Sequence, residues 1–366
     1  MKLIITQKQS VRLIKEALGV PKPIEFWVDT FSDVINDGLL MLLSSEDKEV
    51  FFTGDDIQEK AVSLGWNSSN DKFLDFPLAE PQLNLKLNVV PDESIRNGDD
   101  YIDAASFDTN EINLVDATFD DGKTLPLLVG GIINMEINIP ESSYENGSFV
   151  ELYNSEIKPY TESILFHELT HVYEFYKRIL SNTAKPNFEQ VANLSQMMNK
   201  LGAVDDWDEL MFMIYLHLSF ELNARISEVY GLLRNKNIKS KEEFVEFLKT
   251  SRAFSYAKRL NNFSAEKFFN DFELSQETID RVREYDGKKT AIDEIKNVVL
   301  DQLIQNWSVT YEDFLKDFSA DETIKIPNLS SKTLSSPQNF LRFWEKRFNK
   351  AGHDSLRKIS RLYSAI

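Results

Sequence analysis

The sequence predicts an α+β protein, a small mixed sheet followed by a mostly helical C-terminal half, and two observations carry that expectation. Strict alternation of apolar and polar residues, the pattern of a strand with one buried face, is confined to residues 81–140. Elsewhere apolar residues recur at helical spacing, in segments closed off by Gly, Pro, Asn and Asp.

Taken in order, residues 1–80 read as an N-terminal, mostly helical region. Gln9 to Leu18 has helix composition and stops at Gly19, with Pro21 and Pro23 beyond. Phe26 to Leu43 is apolar with scattered Asp and Asn, a composition that leaves its type open. Asp55 and Asp56 are placed to cap a short helix running to Leu64, before Gly65. Residues 81–235 form the expected central core. Leu83, Leu85, Leu87 and Val89 alternate with Asn84, Lys86 and Asn88, a half-buried strand. Asn110 to Phe119 and Leu125 to Val129 are further strand candidates. After Gly130-Gly131, Ile133, Met135, Ile137 and Ile139 face one way, and Asn134, Glu136 and Asn138 the other. Pro140 closes this run, and a polar face with a terminal proline predicts an edge strand over Ile132 to Ile139.

Residues 141–158 read as a polar loop leading into a helix, for which Pro159 and Thr161 are start signals. Lys185-Pro186-Asn187 marks a turn, Glu189 to Leu201 a helix, and Asp205/Asp206 open a long helix from about 207 to 234. Residues 236–366 form a helical C-terminal region. Helices are expected at roughly 240–250, 252–262, 264–272, 276–285 and 290–307. In the tail, Pro337 to Asn349 and Asp354 to Tyr363 read as two helices split by Ala351-Gly352.

Composition narrows the function classes. The 366 residues are 42% hydrophobic and 27% charged, as in an ordinary water-soluble globular chain. A net charge of −18 argues against nucleic acid as the main partner, since phosphate binding needs a basic surface. A cluster of Arg342, Lys346, Arg347, Lys350, Arg357, Lys358 and Arg361 near the end reads as a solvated helix face. Without cysteine there is neither a disulfide framework nor a thiolate ligand. The opening MKLIITQKQS has too short an apolar run for a signal peptide, and no stretch approaches a membrane span. A cytoplasmic location and no membrane partner are the expectation.

The stretch that carries chemistry is His167-Glu168-Leu169-Thr170-His171, in a chain with four histidines. It fits the H-E-x-x-H pattern of zinc peptidases. Residues four apart share a helix face, so two imidazoles at this spacing can meet one Zn²⁺ ion. A glutamate beside the first ligand can take a proton from water activated at that ion. A third protein ligand is needed. His217, Glu221, Glu228, Asp205, Asp206 and Asp208 are candidates on or at the start of the next long helix. His217, Glu221, Arg225 and Glu228 would share one face of it, and buried Glu and Arg there must be paired or coordinated.

HELTH followed by a glutamate on a second helix resembles the gluzincin branch of the zincin metallopeptidases, over roughly residues 130–230. The resemblance implies Zn²⁺ bound by His167, His171 and Glu221, with Glu168 as general base, and an edge strand beside the active-site helix where an extended peptide adds. Ile132 to Ile139 takes that place in the sequence. Ala224, a small residue one turn after Glu221, suits close packing of the two helices. Many gluzincins carry an Asp four residues after the ligand Glu to orient a histidine, whereas this chain has Arg225, leaving Asn223 or Glu228 for that role. The strings HELTHVYEFYKR, FELNARISEVYG and FWEKRFNKAG also resemble an uncharacterised group of proteins encoded by large tailed phages. That likeness implies a location in host cytoplasm or virion, and a virion or host-protein partner.

The expected function is hydrolysis of a peptide or protein substrate by metal-activated water. His217, Tyr215, Arg225 and Tyr230 are all eligible as the donor to the developing oxyanion. The alternative is a binding or structural protein, such as a phage particle component, that keeps a zincin-like fold without catalysis. An intact Glu168 favours the enzyme.

Overall fold

The computed structural model describes residues 22–65, 82–95, 101–108, 113–118, 124–180, 208–234, 236, 238–286, 290–317 and 329–363. The expected helix at Gln9–Leu18, the turn at Lys185-Pro186-Asn187 and the helix at Glu189–Leu201 lie outside these residues. The chain divides into two compact units, one of residues 1–182, 223–253 and 358–366, the other of 183–222 and 254–357.

The first unit is α+β with a mixed five-stranded sheet. Its strands are β1 (Glu49–Phe52), β2 (Gln82–Pro91), β3 (Ile102–Asp108), β4 (Asn113–Thr118) and β5 (Thr124–Ile139). The order is β1-β2-β5-β3, with β4 pairing β5 further along. β2 and β5 run parallel, in a register that sets Leu85 beside Ile133, Leu87 beside Met135 and Val89 beside Ile137. All six of these side chains are buried. β3 and β4 both run antiparallel to β5, along its other side. The junction between them falls opposite Gly130-Gly131, where the β2–β5 register slips. Gly130 has φ +92°, open to glycine at little cost. A Cβ on Gly131 would lie 2.8 Å from both Leu83 and Phe107, so the second glycine lets the neighbouring strands close over the kink.

β5 is therefore an interior strand, and the expectation of an edge over Ile132–Ile139 is corrected. Alternation reports that one sheet face is polar; it is silent on a strand's place in the order. Here the polar face is laced across strands by Asn88 donating to Glu136 (3.1 Å) and by Lys86–Glu49 (2.8 Å). The strand at the end of the order beside β5 is β3.

Two long helices cover the apolar face. α1 (Lys22–Leu43) settles the segment whose type the sequence left open, burying Ile24, Trp27, Val28, Phe31 and Ile35. α2 (Gly54–Ser63) begins at a capping box, Thr53 and Asp56 each satisfying the other's backbone N–H. Residues 141–158, expected as a loop, are largely helical: after α3 (Glu141–Glu145) and a turn, α4 (Phe149–Leu152) and a π-turn (Tyr153–Ile157) lead without a gap into α5 (Lys158–Leu180). Gly147, at φ +75°, supplies the bend between α3 and α4. α5 packs against α1 and against the β3 side of the sheet. Leu165, Phe166, Leu169 and Val172 are fully buried, enough to anchor a helix that also carries polar chemistry.

The long helix expected from about 207 to 234 is two helices, α6 (Asp208–Leu216) and α7 (Ser219–Arg234), broken at His217-Leu218. α8 (Lys241–Lys249), capped by Ser240, α9 (Arg252–Asn261), α10 (Ala265–Asp271) and α11 (Gln276–Asp286) follow the expected pattern, while α12 (Ile292–Asp317) runs ten residues past its expected end near 307. Among the described residues the second unit is helical, with an aromatic core around Trp307, Phe340, Trp344 and Phe348. The expected split at Ala351-Gly352 does not occur, and α13 (Pro337–Leu362) runs straight through. Gly352 is there for contact. A Cβ would lie 2.2 Å from the Asn261 backbone nitrogen and 2.7 Å from the Ala257 carbonyl, so its bare surface lets α13 touch α9.

Candidate metal centre

His167, Glu168 and His171 sit in the middle of α5, whose flanking apolar side chains are buried. His167 and Glu168 are each 5% exposed. The two imidazoles are T-shaped, and their Nε2 atoms face each other at 3.1 Å. α7 crosses the same region. Gly231 packs against α5 so tightly that a Cβ would meet Phe166 at 2.6 Å and the Ser163 backbone at 2.8 Å. Thr170 donates to Ser227 at 2.8 Å, a buried polar tie between the two helices. Glu221, Ala224, Glu228 and Gly231 follow at steps of three, four and three, one face of the helix. Each is buried.

His167, His171 and Glu221 offer ligand atoms that all lie within 4.8 Å of one another, a group that can hold a metal ion. One is a carboxylate and two are imidazoles, and none of the three is exposed. Glu221 is 0% exposed and accepts a 2.6 Å hydrogen bond from the Tyr215 hydroxyl through Oε2.

Behind the first histidine stands Glu228. Its Oε2 lies 3.5 Å from His167 Nδ1 and 3.0 Å from an Arg225 nitrogen. Burial alone would push the Glu228 carboxyl up. The polar contact with His167 and the charge of Arg225 outweigh it and hold the group below the usual carboxylate range. At 3.5 Å the contact is longer than a hydrogen bond, but a carboxylate on this side of the ring favours the tautomer with its proton on Nδ1, which leaves the Nε2 lone pair for an ion. Arg225 and Glu228 thus form a pair behind the ligand. A second brace ties α5 to α7: Asn223 donates to Glu174 at 2.6 Å and accepts from Lys358 at 2.7 Å. Glu174 escaped the sequence reading, although its place one turn after His171 was a usable signal.

His217 is elsewhere. The break at 217–218 takes it off the face it was expected to share with Glu221. It lies in the aromatic core of the second unit, ring centroids 5.1 Å from Trp344 and 5.7 Å from Phe348, with Nδ1 against the Ile214 carbonyl. Burial, aided by the charge of Arg347, pushes its pKa down to about 4. Tyr230 is also spoken for, donating to Glu25. Asp205, Asp206 and the side chain of Asp208 lie outside the described residues.

Glu168 has the opposite character. It is buried, yet among the described residues its carboxylate makes no hydrogen bond and no ion pair.

No family model matches this chain, and neither a curated protein nor a solved structure does.

Proposed function

We propose that the protein is a zinc-dependent peptidase, with His167, His171 and Glu221 as the ligands and Glu168 as the general base. The observation that carries this reading is the group of His167, His171 and Glu221, with the buried Glu168 one helical position from the first of them. Two nitrogens each about 2.0–2.1 Å from one ion at a tetrahedral angle stand about 3.3 Å apart, close to the 3.1 Å between the imidazoles. Bound zinc would supply Lewis acidity toward a substrate carbonyl and toward water.

The chain's own residues do the rest. Glu228 and Arg225 keep His167 oriented, and Tyr215 restrains Glu221. Glu168 accepts the proton that water gives up as it attacks the scissile carbonyl carbon, then returns it to the leaving amine. β3, at the end of the sheet and packed beside α5, is the strand on which an extended peptide would pair, in place of Ile132–Ile139. Among the described residues no helix is long and apolar enough to cross a membrane, and a cytoplasmic site of action belongs to the same proposal.

The test is metal analysis of protein purified without chelator, followed by a peptide-library digest by the zinc-loaded parent and Glu168→Gln. Zinc at one equivalent with cleavage only by the parent supports the peptidase. A zinc-loaded parent that cleaves nothing in the library moves the reading to a binding or structural protein.

A further inference from the structure

We propose that Tyr215 makes Glu221 a one-oxygen ligand and so keeps the metal centre at three protein donors. The inference rests on the metal-binding reading above and goes beyond it, to what sets the coordination number. A carboxylate can grip an ion with one oxygen or two, and two would fill the position that a catalytic centre leaves open. In this structure the Tyr215 hydroxyl lies 2.6 Å from Glu221 Oε2, the short distance of a charge-assisted hydrogen bond. Oε2 is thereby engaged by the phenol, and a two-oxygen grip on an ion would have to compete with that hydrogen bond.

The chain folds to make this contact. Tyr215 and Glu221 are six residues apart, a spacing that sets two side chains about 120° apart around a continuous helix and about 9 Å apart along it. The break at His217-Leu218 between α6 and α7 removes that restriction and turns Tyr215 back over the start of α7. Burial strengthens the hold. Glu221 is 0% exposed, so a loosened Oε2 has no ready water to accept from and would turn to the ion instead. Tyr215 acts through the ligand and is a positioning residue.

The probe is Co²⁺, whose visible absorption is intense in four-coordinate sites and weak in five- or six-coordinate ones. The parent is loaded with Co²⁺ and the spectrum recorded, and Tyr215→Phe is treated identically. Zn²⁺ affinity of both is measured by competition with a chromophoric chelator, and folding is checked by circular dichroism of the metal-free proteins. The expected result is a four-coordinate spectrum in the parent. In Tyr215→Phe the absorption should weaken toward the higher-coordinate form, and Zn²⁺ affinity should fall by about 10- to 100-fold, the usual cost of losing a hydrogen bond to a ligand. A higher-coordinate spectrum in the parent overturns the proposal without any variant. Identical spectra and Zn²⁺ affinities within about twofold in the two proteins overturn it as well, while leaving the metal site in place. Failure of the parent to take up either ion overturns this proposal and the metal-binding reading together.

Discussion

Replacing Glu168 with Gln changes one oxygen to nitrogen, keeps the shape and removes the ability to accept water's proton at neutral pH. Because Glu168 belongs to neither the ligand group nor any hydrogen bond among the described residues, Glu168→Gln is expected to fold and to bind zinc as the parent does. Peptide cleavage should fall by about 10²- to 10⁴-fold, and equal turnover at equal zinc content would remove Glu168 from the chemistry. Glu221→Gln is expected to lower zinc occupancy sharply and His217→Ala to leave it unchanged; atomic absorption on both variants reads the answer, and the reverse pattern would refute the ligand set. The histidine pair was legible at this scale because i, i+4 spacing is a local property of one helix. Glu221 was named by the family resemblance and not by spacing, which left His217, Glu221 and Glu228 on one face. What separates them is the break at 217–218, and Met213–Leu222 is apolar enough to read as one buried helix straight through it. The orienting role of Glu228 sits seven residues after Glu221, two turns along the same face, where the ordinary i+4 position is occupied by Arg225.

Elements were legible where periodicity and punctuation agree. Helices α8 to α11 fall within a residue or two of their expected limits because each has a polar cap and an apolar stripe of its own. Glycine misled the reading in one place and was overlooked in another. Gly352 read as a helix break and is a contact, and Gly231 was passed over although it sets the distance from α7 to α5. Sequence shows that a residue is small, while the neighbour that requires it to be small lies far away in the chain: 68 residues for Gly231 and Ser163. The strand order was hidden for the same reason, since β5 meets β2, β3 and β4 only in three dimensions. Gly231→Ala is the test at this scale. The added methyl meets backbone at 2.8 Å on a rigid buried helix, so α7 must shift off α5. Overpacking of this kind costs about 1–3 kcal/mol, measurable by denaturant unfolding. The shift should also weaken zinc retention, because Glu221 rides on α7 while the histidines ride on α5. A variant as stable as the parent, with the same zinc affinity, would mean that the interface gives more freely than its packing implies.

For the molecule as a whole, the charge of −18 sets how acid acts on it. Lowering the pH protonates carboxylates, which relieves self-repulsion and by itself favours the compact state. His217 works in the other direction. In the unfolded chain it takes a proton near its ordinary pKa of 6.5; in the folded aromatic core it does not until about 4. Between those values the unfolded state holds the extra proton, so stability falls as the pH falls, and the His217 contribution is complete only above about 6.5. A difference of that size corresponds to about 2–3 kcal/mol lost between pH 7 and pH 4.5. The measurement is guanidinium unfolding at both pH values for the parent and for His217→Phe, which keeps a ring against Trp344 and Phe348 but cannot titrate. Subtracting one protein from the other cancels the carboxylates, which are the same in both. The parent is expected to lose about 2–3 kcal/mol more than the variant over this interval, followed through tryptophan fluorescence, which Trp307 and Trp344 report from the core that holds His217. Parallel losses in the two proteins would show that the ring at 217 is protonated within the fold near its ordinary pKa, and that the aromatic core around it admits water.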